Sequence, residues 1–172
     1  MADSLKRSFC ESAGPDGQVC TARILHYSVT NVSQQGEEVL YLPTIVDSAE
    51  SSPEAANICA YQIRKSIAHG APHQKYNAIM LTRILSDNPG ETFTRNLDIK
   101  FVSAVKDLLR QSSDLNVTQM LIETLDSFER DKQHDTNLAP LLTMWKKEQS
   151  RYRNTYLQAV RTASLSLLTS LT

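Results

Sequence analysis

Apolar residues along the chain recur at helical spacing, broken by turn signals at regular intervals. The stretch "ICAYQIRKSIAHGAPHQKYNAIMLTRILSDNPGETF" shows the rule within residues 58–93. Ser52, Pro53 and Glu54 form a start signal: a capping hydroxyl, a proline in the first turn where its missing N–H is harmless, and an acid at the positive helix end. The helix predicted from Pro53 to about Ala68 places Ala56, Cys59, Ala60, Ile63 and Ile67 on one face, and Gly70 stops it. Pro72 opens the next helix, which Asn88-Pro89-Gly90 ends. Ala78, Leu81, Ile84 and Leu85 make its apolar face, and Ile79 and Met80 widen it. A helix apolar on most sides is buried among neighbours, so this one is predicted to be central, flanked by the helices starting at Pro53 and Asp98.

The same punctuation divides the rest of the chain. Gly14, Pro15 and Gly17 mark residues 1–17 as a loose, flexible N-terminal arm. A short helix is predicted in "QVCTARILHYSVT", and a second in "EVLYLPTIVDS", either kinked at Pro43 or starting there. Asp98 is read as the cap of "IKFVSAVKDLLRQ", and Asn116 with Gln119 as a capping box for "VTQMLIETLDSFER". From Leu138 a long pattern runs through Leu141, Leu142, Trp145, Tyr152, Tyr156 and Val160, with Pro140 in its first turn and Trp145 as a core anchor. No alternating strand pattern competes. The predicted class is all-α, with seven to eight helices joined by short loops.

Composition narrows the function. At 172 residues, 41% of them hydrophobic, the chain is long enough for one cored domain. The formal net charge of -1 provides no general basic field, so nucleic acid is excluded as a partner. Cys10, Cys20 and Cys59 lack metal-ligand spacing and are read as reduced thiols. No run of 18 apolar residues occurs, so no membrane-spanning helix is predicted. His69 and His73 are four apart, but Gly70 and Pro72 separate them, so no metal site is predicted. No nucleotide-binding, zinc-protease or nucleophile-elbow motif is present. The reading is therefore of a non-enzymatic protein with no catalytic residues and no cofactor. Basic residues gather at Arg64 and Lys65 and again in "WKKEQSRYR".

The segment "CAYQIRKSIAHGAPHQKYNAIMLTRILSDNPG", with its Pro-His turn and a central helix closing on Asn88 and Gly90, resembles the third and fourth helices of the VHS domain. "ETFTRNLDIKFVSAVKDLL" resembles the two helices that follow. The resemblance spans about residues 18–150 and implies a right-handed superhelix of the VHS/ENTH type over residues 18–153. Residues 154–172 would extend the last helix. "VLYLPTIVDS" is most similar to fungal VHS adaptors that carry a downstream GAT bundle; no complete GAT bundle fits before Thr172, so that region is expected to be absent.

The resemblance implies an adaptor of endocytosis and endosomal transport, cytoplasmic and peripheral to endosomes or the cell cortex, with endocytic and actin regulators as partners. Ubiquitin binding in the family uses a tryptophan on the second helix. Val39 stands at that position, with Leu42 and Tyr76 as its apolar neighbours, which implies weak binding of ubiquitin or ubiquitinated cargo. A second family surface takes acidic sorting signals, and the residues that would serve it are Lys100, Lys106 and Arg110 facing Lys146 and Lys147. The alternative is a phosphoinositide-binding module of the ENTH/ANTH kind, recruited by anionic lipid headgroups. The apolar stripe over residues 155–172 is expected to mediate self-association through the C-terminal helix.

Overall fold

The computed structural model describes residues 38–152, with side chains from Leu42 onward. The arm over residues 1–17, the helix expected within 18–30, the extension 154–172 and the side chain of Val39 lie outside these residues. Among the described residues every regular element is helical. No helix among them is long and apolar enough to cross a membrane.

Helix α1, Glu38–Glu50, buries Ile45 and Ala49 and packs Leu42 and Val46 against the core, a spacing of three and four that keeps one face inward. It begins at Glu38 and contains Pro43, which corrects a start at the proline. An interior proline costs about 3 kcal/mol. The burial of Ile45 and Ala49 on the opposite side offsets that cost, and Pro43 itself is exposed.

Helix α2, Pro53–His69, starts as the sequence signals: Ser52 Oγ accepts the Ala55 N–H at 3.1 Å. Its buried face is Ala55, Ala56, Cys59, Ala60, Ile63 and Ile67. Gly70 closes it, donating its N–H to the Ser66 carbonyl at 2.8 Å. A β-carbon at Gly70 would lie 2.5 Å from that same carbonyl oxygen, so the tight turn into the next helix requires glycine. Helix α3, Pro72–Asp87, begins after Ala71, whose N–H donates to Gln74 Oε1 at 2.9 Å. The Asn88–Pro89 peptide is cis, and Gly90 follows at a φ of 65°, a region that side-chain-bearing residues avoid.

A single turn, α4 (Glu91–Thr94), leads to α5 (Ile99–Gln111), whose first turn is held by Asp98 Oδ1 accepting from Phe101 N at 2.8 Å. Helix α6 (Leu115–Asp131) starts earlier than its capping-box pattern suggests. Its cap is Asp114, with Oδ1 accepting from Val117 N at 3.0 Å, while Asn116 lies exposed inside the first turn. A carboxylate two residues upstream outcompetes the amide because it also favours the positive helix end. Asp114→Ala should therefore cost about 1 kcal/mol, and Asn116→Ala should stay within about 0.5 kcal/mol. Paired urea titrations read both; a larger loss at Asn116 would restore the capping box. A 3₁₀ turn, Thr136–Leu138, then passes into α7, helical over residues 139–152 with Pro140 in its first turn.

Packing pairs the helices. The central α3 lies between α2 and α6, while α2 also packs on α1 and α5, and α5 on α6. The expected neighbour of α3 on its second side, α5, is therefore replaced by α6. Consecutive pairs α2–α3 and α5–α6 stack so that α2 lies beside α5 and α3 beside α6. Ile67, Ile79, Phe101, Val105, Leu125, Phe128 and Leu141 meet where these helices and α7 converge. On α3 the buried face is Ala78, Ile79, Leu81 and Leu85 with Asn77, Thr82 and Ser86; Ile84, expected inward, is half-buried at its edge.

Polar latches tie the layers together. Lys132, just past α6, donates to the Ser86 carbonyl at 2.8 Å and pairs with Asp87 at 2.7 Å, setting a cation at the negative end of α3. Buried Asp135 accepts from Thr94 Oγ1 at 2.7 Å and from Asn137 N at 2.9 Å, joining α4 to the start of α7.

Candidate functional site

Of the residues singled out for ubiquitin, the side chain of Val39 lies outside the described residues, and Leu42 and Tyr76 sit on different helices. Tyr76 is exposed on α3, but Leu42 packs against the core from α1. Cys59 is fully buried, and that burial pushes its thiol up to about 12 against the opposing effect of a backbone hydrogen bond, so it packs rather than reacts. His69 and His73 are both exposed, at the end of α2 and the start of α3.

Among the cations expected to receive a sorting signal, Lys106 and Arg110 both act on Glu148 of α7, whereas Lys100 is set apart from them. Lys100 and Arg110 sit at opposite ends of α5, about 15 Å apart at 1.5 Å per residue. Arg110 is also engaged: its Nε and Nη2 donate to the two carboxylate oxygens of Glu148 on α7, at 3.2 and 2.5 Å. The Glu148 side chain is only 7% exposed, so this fork closes the α5–α7 seam from inside. Nearby, the Tyr152 hydroxyl donates to the Leu109 carbonyl, a second tie between the same helices. Lys146 and Lys147 remain exposed on α7. Arg110, named among the cations of that groove, is thus paired: the glutamate that interrupts the basic run in sequence is its partner in space.

The Glu148 carboxyl is held below the usual carboxylate range, first by its hydrogen bonds from Arg110. Burial pushes the other way, and the fields of Arg110, Lys106 and Arg151 add to the lowering. A carboxyl lowered on folding adds stability above its unfolded value, and that contribution is lost as pH falls through the lowered folded one. Wild type should exceed Glu148→Gln in stability at neutral pH, and the gap should shrink on acidification below about pH 4. Thermal melts of both proteins from pH 7 to 3 check this; a constant gap would count against it.

A different set of basic residues converges. Along α2, Tyr61, Arg64, Lys65 and Ala68 repeat at three and four, which puts them on one face turned away from Cys59, Ile63 and Ile67. With His69 they form one wall of an open cleft, and Lys100 and Ala104 of α5 form the other. The cleft has a volume of about 280 Å³. Its space comes from Ala68 and Ala104, whose methyl groups fill little of the gap between the helices. No acidic side chain lines it.

Arg64 is held in place within this cleft. Its guanidinium carbon sits 5.2 Å from the Tyr61 ring centroid, a cation–π stack, and Nη1 reaches Asp98 Oδ2 at 3.4 Å. Asp98 uses its other oxygen to cap α5, so one carboxylate fixes both the start of α5 and the cation across from it. The single long contact leaves most of the guanidinium donors for another acceptor. Lys65 and Lys100 are exposed beside it, and Ile99, next to Lys100, is 74% exposed. Sequence reasoning noted Arg64 and Lys65 on one turn and Lys100 in another group. Only the packing of α2 on α5 brings the three together.

No protein-family model matches this chain, and no curated protein matches it.

Proposed function

We propose that the chain is a non-enzymatic adaptor module of the VHS/ENTH kind, a right-handed helical superhelix that docks acidic segments of partner proteins in the α2–α5 cleft. Support for the superhelix comes from the stacking of successive helix pairs, α2 on α5 and α3 on α6. The observation that carries the binding role is the cleft: Arg64, Lys65 and Lys100 converge on a space without an acidic lining residue, in a chain with no general positive charge. A local site of that kind selects an anionic segment rather than attracting polyanions at large. On this reading the module serves endocytic or endosomal transport in the cytoplasm, at endosomes or the cell cortex, beside actin regulators. Ubiquitin, lacking a tryptophan anchor at Val39, binds weakly.

The test is fluorescence anisotropy of labelled Asp/Glu-rich peptides, with neutral peptides of the same length as control, against the full chain and Lys65→Glu/Lys100→Glu. Binding should weaken with added salt and be lost in the double variant. Equal binding by wild type and variant would remove the cleft from the reading. A second reading, recruitment by anionic lipid headgroups, is favoured by exposed Ile99 beside Lys100, an apolar side chain placed to enter a membrane interface. Sedimentation with vesicles containing phosphoinositide separates the two. Titration with ubiquitin, followed by amide chemical shifts, tests the weak site: submicromolar binding centred away from Val39, Leu42 and Tyr76 would refute it.

A further inference from the structure

We propose that the α2–α5 cleft is a phosphate-recognition site for a phosphoserine or phosphothreonine carried on a segment of a protein partner. This rests on the reading that the cleft docks an anionic protein segment, and adds which anion it is built for. A carboxylate brings a single negative charge and two oxygens. A phosphate monoester brings a charge of about -1.5 to -2 at neutral pH and three acceptor oxygens. The cleft presents cations from both walls, Arg64 and Lys65 on α2 and Lys100 on α5, so a ligand that satisfies them together must accept from more than one side. The phosphate has that geometry.

Arg64 is the residue that distinguishes the two anions. Its planar fork matches a pair of phosphate oxygens, and its orientation is set in advance by the Tyr61 stack and the Asp98 contact. Its side chain is 23% exposed, so most of it is packed while it still lines the cleft. Ordering the fork before the ligand arrives lowers the entropic cost of binding. Ala68 and Ala104 leave depth for the phosphate and the short side chain that bears it, while exposed Tyr61 and Ile99 offer apolar contact to neighbouring residues of the segment.

The arrangement favours a peptide over a membrane. Lipid surfaces attract clusters of roughly four to eight Lys/Arg on an open face. This cleft offers only three such residues, and the Asp98 side chain, 51% exposed and 3.4 Å from Arg64, sets a negative charge beside them that an anionic surface would meet. A narrow phosphorylated segment engages the Arg64 donors that the single Asp98 contact leaves open.

The experiment titrates the full chain with three peptide pools that are degenerate at the flanking positions and carry phosphoserine, glutamate or serine at the centre. Anisotropy gives affinity, and amide shifts give the location. The phosphoserine pool should bind more than about tenfold tighter than the glutamate pool, with shifts at Tyr61, Arg64, Lys65, Lys100 and Ala104. Arg64→Lys, which keeps the charge and removes the fork, should lose most of that preference while its circular dichroism melt stays close to wild type. Lys100→Arg should retain it. Equal affinity for phosphoserine and glutamate pools would overturn the phosphate assignment and leave acidic docking standing. Failure of both pools would overturn the two together. Binding to phosphoinositide vesicles that is sensitive to Lys65→Glu/Lys100→Glu, with no peptide binding, would overturn both in favour of a membrane surface.

Discussion

Trp145→Ala is expected to remove about 3–5 kcal/mol of stability, the range for deleting a buried tryptophan from a core. Trp145 is 1% exposed, and its indole Nε1 donates to Asp126 Oδ1 at 3.0 Å, which joins α7 to α6. The substitution opens a cavity and removes that donor together. Gln149 Nε2 still reaches the same oxygen at 3.3 Å, so the carboxylate keeps one partner. Trp145→Phe keeps a buried aromatic ring while removing the hydrogen bond and part of the packing, and should cost less, about 1–3 kcal/mol. The chain has one tryptophan, so urea unfolding must be followed by circular dichroism rather than fluorescence. Small domains have a total stability of about 5–15 kcal/mol, and the alanine variant therefore risks unfolding at physiological temperature. A loss under about 1 kcal/mol would mean that α7 does not pack where the structure puts it.

Leu81→Ala is expected to cost about 2–5 kcal/mol, whereas Ile84→Ala on the same helix should cost about 1 kcal/mol or less. The contrast follows from their places on α3. Leu81 is 2% exposed and faces the neighbouring layers; Ile84 lies half-buried at the edge of the face. Periodicity groups both inward, so the pair separates the helical pattern from the packing. Matched denaturant titrations of the two variants decide it. Equal losses would show that α3 is covered on a broader face than the α2 and α6 contacts provide.

The helix starts at Ser52 and Asp98 and the stop at Gly70 were legible because each is a local event: a side chain meets backbone groups of its own first turn, or a turn requires a residue without a β-carbon. The core faces of α2 and α5 were legible for a related reason, since an amphipathic helix has one side to bury. Asn116 was misread because Asp114 lay two residues upstream and both residue types cap; the competition is settled by which oxygen reaches the Val117 N–H. The fate of Arg110 and the identity of the basic cleft were not legible in the same way. A cation's spacing along a helix does not say whether an acid from another helix will reach it, as Glu148 does.

The sequence by itself determined the helical class of the described residues, the main breaks between helices and most of the apolar side chains that enter the core. These depend on interactions within a few residues, or on the simple preference of an apolar face to leave water. Tertiary structure alone decided that α3 packs between α2 and α6, that Glu148 closes on Arg110, and that Arg64 and Lys65 meet Lys100 across two small alanines. Those outcomes depend on how helices separated by tens of residues stack, because charges far apart along the chain become neighbours only when the layers pack.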